Sequence, residues 1–399
     1  MSRSDDRKAC LRHLKDTLRV VFAGGGTGGH IYPALAVADR LRARHPEASV
    51  VFIGTGRLEA TKVPAAGYEL RQITVHGLAG QISSRRRTAA MLELLLGRPL
   101  WQSIGLLRRF RPHVVVGTGG YVSGPVWLAA WILGVPAMAL ELNQHPGLAT
   151  RIGLRLVQLA AAVSRSAAGE LQARRPQLRI EVVGSPIRPE ILTTTRAEGQ
   201  QALGLDPKRL TLLAIGGSIG SQAINRALIG ALESLAQEAW FRDGVQVIHL
   251  TGSAHPEHLS SARAAELGLA YQAREYLDDM HFAYAATDLA VSRGGAMTVA
   301  ELAVAGVPAI IIPWSGAANN EQELNARPLV DAGGAVLLHD NELEPGRLAD
   351  LLRQLLQDRE RLIDMRRLVR GVSRPEAADL MVDLIEELAG RPRNSRTYD

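Results

Sequence analysis

Two glycine-rich turns stand directly after apolar runs, one in each half of the chain. GGGTGGH, Gly24–His30, follows the run Leu18–Ala23, and GGSIG, Gly216–Gly220, follows Thr211–Ile215. Glycine lets the backbone come close to a ligand, and the first turn of a helix presents unbonded N–H groups, so such a turn can hold a phosphate. Either turn taken alone fits a tight structural connection equally well. Together they form a hypothesis of phosphate binding.

Features around the first turn narrow the choice of ligand. His30 stands at the start of a helix, where a dinucleotide-binding turn has no use for an imidazole. A third glycine loop, GTGGYVSGP at Gly117–Pro125, lies in the same half. The end of the second apolar run, Val51–Gly56, offers no acidic residue to hold the ribose of NAD. These residues argue against a dinucleotide, and we predict that no cofactor is required.

The elements that must position these turns alternate in type. An amphipathic helix from Pro33 to about Arg44 follows the first glycine turn, and a strand at Ser49–Ile53 comes next. Strand, glycine turn, helix and strand are typical of a parallel, doubly wound sheet. Further strands are predicted at His113–Val116, Ala137–Leu140, Ile180–Val183, Val245–Leu250, Leu289–Val291 and Ala309–Ile312, and further helices at Gln222–Ala236, Met297–Val304 and Asn320–Ala332.

This order predicts an α/β protein of two Rossmann-like, doubly wound domains, joined near Pro186–Leu205, with the active site in the cleft between them. We place the domains at residues 18–187 and 188–375, and expect residues 376–399 to form a helix and tail that pack back on the first domain.

Composition limits the partners. The 399 residues carry a net charge of +6, which suits phosphorylated ligands or an anionic membrane. Nucleic acid is not expected, because 5 Phe, 7 Tyr and 5 Trp are few for base stacking.

Cys10 is the only cysteine and permits no disulfide within the chain. The N-terminus lacks the apolar region of a secretory signal. The uncharged stretch Val114–Leu140 holds glycines and prolines, and fits strand, loop, helix and strand better than a membrane span.

Several long motifs carry a family resemblance. GGGTGGHIYPALAVA, GTGGYVSGP, GSPIR, GGSIGSQAIN and SRGGAMTVAELAVAGVPAIIIP, collinear from about Val20 to Ala332, resemble those of the MurG-type enzymes of glycosyltransferase family 28. The resemblance implies the GT-B architecture, with a lipid-linked acceptor in the N-terminal half and UDP-sugar in the C-terminal half. It implies inverting transfer of N-acetylglucosamine from UDP-N-acetylglucosamine to lipid I, giving lipid II for peptidoglycan. The place implied is the cytoplasmic face of the inner membrane, as a peripheral protein, with proteins of cell-wall synthesis as further partners.

The resemblance also implies a donor site in the second half. Ser218 lies near the diphosphate, Arg188 is its cation, and Glu301 accepts hydrogen bonds from the ribose hydroxyls. The residues expected to contact UDP-N-acetylglucosamine are Thr27, Gly28, Gly29, Asn143, Arg188, Ser218, Leu277, Ala296, Met297, Thr298, Val299, Ala300, Glu301 and Gln322. Leu277 presents backbone groups to uracil, Asn143 and Gln322 contact sugar hydroxyls, and Asn225 is a further cleft residue.

Inverting transfer needs a base for the acceptor hydroxyl, because that hydroxyl loses its proton as it attacks C1 of the sugar. His30 is the base we predict, since imidazole titrates near neutral pH. A positioning role on the acceptor phosphate remains the alternative for His30, and Glu141 is the rival base. Tyr121 is expected to contact the acceptor. No metal site is predicted, and Asp278 with Asp279 fits a structural turn, although stimulation by a divalent metal stays open.

The chain departs from the family pattern beside these residues. Leu140 and Leu142 replace a histidine and a glutamine, Ile219 replaces an amide, Asn319 replaces a carboxylate, and Glu321 fills the variable place before Gln322. Two alternatives therefore stay open. The protein could be a GT-B transferase with another lipid acceptor, or a catalytically silent scaffold that binds nucleotide without turnover.

A basic and apolar segment lies between Leu78 and Arg111. Apolar residues such as Leu95 and Trp101 interleave with Arg85, Arg86 and Arg87 and with later arginines. Two core helices with solvated arginines would explain the pattern, but a polyprenyl acceptor favours docking on anionic headgroups.

Overall fold

The computed structural model describes residues 17–26, 28–75, 97–217, 219–255 and 257–391. The chain forms two compact units. The N-terminal unit extends to Pro186 and also takes in the chain from Glu376, whereas the C-terminal unit is Ile187–Pro375. The predictions for Cys10, Thr27, Ser218 and the segment from Leu78 as far as residue 96 lie outside the described residues.

The N-terminal unit is built on a parallel sheet of seven strands in the order β3-β2-β1-β4-β5-β6-β7. The strands are β1 Arg19–Ala23, β2 Ser49–Gly54, β3 Glu69–Gln72, β4 Val114–Gly117, β5 Ala137–Glu141, β6 Leu159–Ala162 and β7 Arg179–Val182. Val20 of β1 pairs with Val50 on one side and Val114 on the other. The strand order reverses between β1 and β4, which is where such sheets bind ligands.

Helices cover this sheet. They are α1 Gly28–Arg44, α2 Glu59–Ala65, α3 Arg98–Phe110, α4 Gly120–Leu133, α5 Leu148–Gly153 and α6 Arg165–Arg174. Trp127 of α4 is fully buried, and its indole N–H donates to the Met138 carbonyl at 3.1 Å. Gly117 and Gly153 make room for it, because a Cβ on either would lie 2.3 Å from the indole ring. The uncharged stretch is thus β4, α4 and β5, and no helix among the described residues has the length and hydropathy to cross a membrane.

The C-terminal unit repeats the pattern with a parallel sheet of six strands in the order β10-β9-β8-β11-β12-β13. The strands are β8 Leu210–Ile215, β9 Val245–Leu250, β10 Ala270–Arg274, β11 Leu289–Ser292, β12 Ala309–Ile311 and β13 Ala335–Leu337. Every residue of β8 and β9 is buried, as expected for central strands covered on both faces. The order reverses between β8 and β11.

The helices of the C-terminal unit are α7 Pro189–Thr193, α8 Arg196–Leu203, α9 Gln222–Leu235, α10 Ala239–Gly244, α11 Ser261–Glu266, α12 Met280–Ala286, α13 Ala296–Ala305, α14 Glu321–Asp331, α15 Pro345–Gln357 and α16 Arg359–Gly371, with 3-10 turns at Ala318–Asn320 and Asp340–Glu342. Leu228 and Leu232 of α9 and Leu352 of α15 belong to one apolar cluster. A second cluster holds Leu302 of α13 and Leu329 of α14. The two clusters sandwich the sheet, since β8 contributes alternate residues to each.

The last helix, α17 Ala377–Leu388, packs against α1 in the N-terminal unit. Its acidic side meets basic residues at the end of α1. Asp379 accepts from Arg40 and Arg44, each at 2.7 Å, and Asp383 also pairs with Arg44. The opposite side buries Met381 and Ile385. The helix that begins at the first glycine turn is therefore held at its far end by charged pairs.

The prediction for the start of α1 was wrong. The helix begins at Gly28, and Pro33 lies inside it. Proline at this place removes only the hydrogen bond that residue 33 would donate to the Gly29 carbonyl, close to the helix end. The predicted strands are confirmed within about a residue, but short strands β3, β6, β10 and β13 were not predicted.

Candidate functional site

Two loops, one after β1 and one after β4, meet at the switch point of the N-terminal sheet, which is the place where the strand order reverses. The Thr118 amide donates to the Ala23 carbonyl at 2.9 Å, and the Ser123 hydroxyl donates to the same carbonyl at 2.9 Å. Gly24 permits the close approach, because a Cβ there would lie 2.2 Å from the Thr118 hydroxyl oxygen. The first and third glycine loops predicted from sequence therefore form one assembly.

His30, in the first turn of α1, belongs to this assembly. Its Nδ1 lies 2.8 Å from the Thr118 carbonyl oxygen, and the Thr118 hydroxyl donates to the His30 carbonyl at 2.9 Å. A carbonyl only accepts hydrogen bonds, so Nδ1 carries the proton and Nε2 keeps its lone pair. Among the described residues, Nε2 has no hydrogen-bond partner. Gly119, with φ +99°, leaves space for the ring, since a Cβ there would lie 2.9 Å from Cε1.

Burial lowers the pKa of His30, and the hydrogen bond to Thr118 and the negative charge of Glu141 oppose that shift only in part. Removal of an imidazolium from water disfavours its charged form. His30 is therefore neutral near pH 7 and able to accept a proton at Nε2.

Glu141, the rival base, ends β5 and is buried. Its carboxylate accepts from the Asn143 backbone at 3.0 Å, the Asn143 side chain at 3.3 Å and the Gly147 backbone at 3.1 Å. These bonds fold the loop after β5 around the carboxylate. Glu141 thus positions Asn143 and supplies negative charge near His30, and its contacts do not favour the role of proton acceptor. Leu140 and Leu142 are buried beside it as core residues.

Gly28 and Gly29 are the first two residues of α1, so their amides belong to the free N–H groups of a helix start. Tyr121 is the second residue of α4 and is 37% exposed. Both positions are compatible with contact to a ligand bound where the strand order reverses. Thr27 lies outside the described residues.

The glycine turn of the C-terminal unit lies against the loop after β9. Gly217 and Gly220 have φ angles of +91° and +85°, which favour glycine. A Cβ on Gly220 would lie 2.1 Å from the Thr251 carbonyl oxygen. Ser221 caps α9 and accepts from the Ile224 amide at 3.4 Å. Ser218 lies outside the described residues, and Ile219 is 67% exposed.

Arg293 holds this turn and was missed as a functional residue. It follows β11 and donates to the Ser221 hydroxyl at 2.8 Å, to the Ile312 carbonyl at 3.1 Å and to Asp340 at 2.7 Å. The charge of Arg293 lowers the pKa of Asp340 although burial acts in the opposite direction. Arg293 lies in the motif SRGGAMTVAELAVAGVPAIIIP, but its side-chain partners Ser221 and Asp340 lie far from it in the sequence. The motif therefore could not predict these contacts.

Arg188 and Glu301 are brought together in the same unit. Glu301 accepts from Arg188 Nη2 at 3.4 Å and from the Tyr284 hydroxyl at 2.9 Å, and Arg188 donates to the Asp278 carbonyl at 3.2 Å. Burial raises the pKa of Glu301, against the effects of Arg188 and Tyr284. Tyr284 was not predicted as a site residue. The sequence gives one indication of its role, which is that a tyrosine stands within an otherwise apolar helical segment.

The other predicted donor residues cluster nearby. Ala296, Met297, Thr298, Val299, Ala300 and Glu301 are the first six residues of α13. Leu277 and Met297 pack against the same apolar cluster. Gln322 accepts from the Trp314 amide at 2.9 Å, and a Cβ on Gly294 would lie 2.2 Å from the Gln322 carbonyl oxygen. The start of α14 therefore presses on the loop after β11.

Asn225, predicted as a cleft residue, lies in α9 next to the loop after β9. Its side chain is fully buried, donates to the Thr251 and His255 carbonyls at 3.1 and 2.6 Å, and lies 3.1 Å from His249 Nε2. These partners use up the amide, so Asn225 positions the loop after β9 in this structure. No group of acidic, histidine or cysteine residues suited to a metal is found among the described residues.

Comparisons with known proteins match both halves of the chain to one family. The glycosyltransferase family 28 N-terminal domain matches residues 20–161, and the family 28 C-terminal domain matches residues 211–381. The chain is 39% identical over 380 residues to the UDP-N-acetylglucosamine–N-acetylmuramyl-(pentapeptide) pyrophosphoryl-undecaprenol N-acetylglucosamine transferase of Desulforudis audaxviator (strain MP104C), covering 94% of this chain and 99% of that protein.

The protein of the same name from Anaeromyxobacter dehalogenans (strain 2CP-1 / ATCC BAA-258) is 40% identical over 380 residues, covering 94% of each chain. Among solved structures, MurG of Acinetobacter baumannii matches with a TM-score of 0.70 at 27% identity, covering 93% of this chain and 99% of that one. The chain forms two Rossmann-like units, both family models match it, and the relatives match along nearly their whole length. It therefore belongs to glycosyltransferase family 28 and, within that family, to the MurG-type enzymes.

Proposed function

We propose that this glycosyltransferase moves N-acetylglucosamine from UDP-N-acetylglucosamine to the MurNAc hydroxyl of lipid I, undecaprenyl-pyrophosphoryl-MurNAc-pentapeptide, with inversion at C1, giving lipid II. The names of the two relatives described above, which specify this donor and this acceptor, support the proposal. The observation that carries the chemistry is the contact of His30 Nδ1 with the Thr118 carbonyl at 2.8 Å, which leaves Nε2 free to accept a proton.

In this proposal the N-terminal unit receives the acceptor. The amides of Gly28 and Gly29 at the start of α1, which the resemblance also places against UDP-N-acetylglucosamine, hold the acceptor diphosphate, and Tyr121 contacts it from α4. The acceptor oxygen attacks C1 of the donor sugar while its proton passes to His30 Nε2. The bond from C1 to the UDP oxygen breaks, and UDP leaves with the electron pair.

The C-terminal unit receives the donor. Arg188 balances the charge that develops on the leaving diphosphate, and Glu301 accepts hydrogen bonds from the ribose. Support comes from the contact between the two side chains, because Glu301 in α13 holds Arg188, which directly precedes α7, at 3.4 Å. Asn143 and Gln322 are proposed to contact the sugar, and Leu277 the uracil.

The departures from the family pattern are compatible with activity. Leu140 and Leu142 are accommodated as buried core residues. Asn319 adopts a φ of +54°, a conformation that asparagine tolerates better than most residues. Since the fold accommodates these three substitutions, a degenerate scaffold is the less favoured alternative.

We also propose peripheral association with an anionic membrane on the cytoplasmic side. Helix α3 exposes 68% of Trp101 while it buries Leu100, Ile104 and Leu107. An exposed tryptophan on a helix with basic ends is typical of interfacial binding. Replacing Arg85, Arg86 and Arg87 together by glutamate should abolish cosedimentation with anionic vesicles, and unchanged binding would contradict the proposal.

The transfer proposal is tested with labelled UDP-N-acetylglucosamine and a lipid I analogue. The expected result is a labelled lipid II analogue and free UDP in equal amounts. Nucleotide binding without transfer would identify a silent scaffold. Transfer to a diacylglycerol in place of the lipid I analogue would identify a different lipid acceptor.

A further inference from the structure

A buried carboxylate lies directly beneath the first glycine loop. Glu59, the first residue of α2, is 0% exposed. Its Oε2 accepts from the Gly26 amide at 3.0 Å, and its Oε1 accepts from the Thr55 amide at 2.6 Å and from the Thr55 hydroxyl. The proposed reaction does not use this carboxylate, so its burial needs another explanation.

Two glycines make room for this side chain. A Cβ on Gly25 would lie 2.5 Å from Glu59 Oε1, and a Cβ on Gly54 would lie 2.7 Å from Glu59 Cγ. Gly25 belongs to the loop, whereas Gly54 is the last residue of β2. Part of the glycine richness of this region therefore serves Glu59, and a phosphate alone does not account for it.

The contact with Gly26 decides which way the loop faces. Gly26 has a φ of +91°, and its amide points inward to the carboxylate. The amide of Gly26 is thereby withdrawn from any ligand. The free donors are the amides of the first turn of α1, which begins two residues later at Gly28. A carboxylate that already accepts three hydrogen bonds also repels a bound anion less than a bare charge would.

We propose that Glu59 is a positioning residue for acceptor binding, acting through Gly26 to hold the glycine loop with the amides of the α1 start turned to the acceptor diphosphate. The inference rests on the proposed function, because it assigns the acceptor to this loop. In dinucleotide-binding proteins an acidic residue after the second strand faces the ribose. Here the acidic residue follows β2 by five positions in the sequence and faces into the loop instead.

Glu59→Gln is the main test. Both carboxylate oxygens accept from backbone amides, and a glutamine has only one oxygen to offer, so either orientation sets its NH2 group against an N–H. We expect the KM for a lipid I analogue to rise about tenfold, while the KM for UDP-N-acetylglucosamine changes less than twofold. Glu69→Gln is the matched control, because Glu69 is exposed on β3 and pairs with Arg71, and it should leave both constants unchanged.

Gly54→Ala provides a second route if Glu59→Gln fails to fold. Its methyl group displaces Glu59 from the strand side without touching the loop, so it should raise the acceptor KM in the same direction. In the double variant the two effects should not add, because both act through one carboxylate. Unchanged acceptor KM in either folded variant, or an equal rise in both KM values, would overturn the inference. An inactive wild type would instead refute the proposed function.

Discussion

The Thr118 carbonyl oxygen accepts a hydrogen bond from His30 Nδ1 at 2.8 Å, and the Thr118 hydroxyl returns one to the His30 carbonyl at 2.9 Å. This double contact joins the loop after β4 to the first turn of α1. It sets the tautomer of the imidazole, because a carbonyl accepts and cannot donate. The proposed base is thus prepared by the protein before substrate binds.

Replacing His30 by alanine should reduce the turnover number for transfer to a lipid I analogue by about 10²- to 10⁴-fold, the usual contribution of a general base. The KM for UDP-N-acetylglucosamine should change little, because the proposed base contacts the acceptor. Initial rates at saturating donor measure the effect. Loss of acceptor affinity with an unchanged turnover number would show that His30 positions the phosphate and is not the base.

The dependence of the turnover number on pH should reflect the lowered pKa of His30. His30 must be neutral to accept a proton, so the rate should fall only as the pH drops through its pKa, below the ordinary value of about 6.5. Rates measured from pH 4.5 to 8 with a lipid I analogue test this. A fall that begins above pH 7 would contradict the assignment, and His30→Ala should lack this limb.

Arg188 and Glu301 should act on donor binding alone. Arg188→Lys should weaken UDP binding by about tenfold, because a lysine cannot hold Glu301, the Asp278 carbonyl and a diphosphate with one compact ammonium. Glu301→Gln should weaken it as well, through loss of the acceptor for the ribose. Isothermal titration with UDP measures both, and Glu360→Gln, at an exposed position of α16, is the control. Unchanged affinity in both variants would remove this pair from the donor site.

Arg293→Ala should lower the free energy of unfolding by about 2 kcal/mol, because it leaves the partly buried Asp340 carboxylate without its cation. The side chains of Arg293 and Asp340 are only 11% and 16% exposed. Urea denaturation of the full chain measures the change. Arg367→Ala is the control, since Arg367 and Asp364 are 78% and 64% exposed and their pair should contribute less than about 1 kcal/mol. Equal effects of the two variants would show that burial does not govern these pairs.

The pairs between α1 and α17 should make stability depend on pH. Arg40 and Arg44 lower the pKa of Asp379 in the folded state, although burial opposes them. A lowered folded pKa stabilises the protein above the unfolded value of about 3.9, and this contribution is lost as the pH falls through the folded pKa. Asp379→Asn should therefore be less stable than wild type at pH 7, and the difference should shrink as the pH falls below about 3.9. A constant difference across this range would contradict the assignment.

The sequence alone was enough for the architecture. Apolar runs such as Thr211–Ile215, followed by a glycine turn and a helix, predict a parallel doubly wound sheet, because local periodicity and turn chemistry carry that information. His30, Arg188 and Glu301 were chosen for the same kind of reason, since each stands in a long local motif. The short strands β3 and β13 were missed because four or three residues contain too little pattern.

The sequence could not predict which residues of distant segments contact each other. Glu59, Arg293 and Tyr284 act through partners far along the chain or in separate loops, and Asn225 is held by carbonyl groups of the loop after β9. Hydrogen bonds of this kind depend on side-chain direction and on strand order, which appear only when the sheets are assembled. Two Rossmann-like units and membership of the family follow from local motifs and periodicity. The tautomer of His30 and the position of Glu59 beneath its loop follow only from the folded chain, because both depend on contacts between segments that folding brings together.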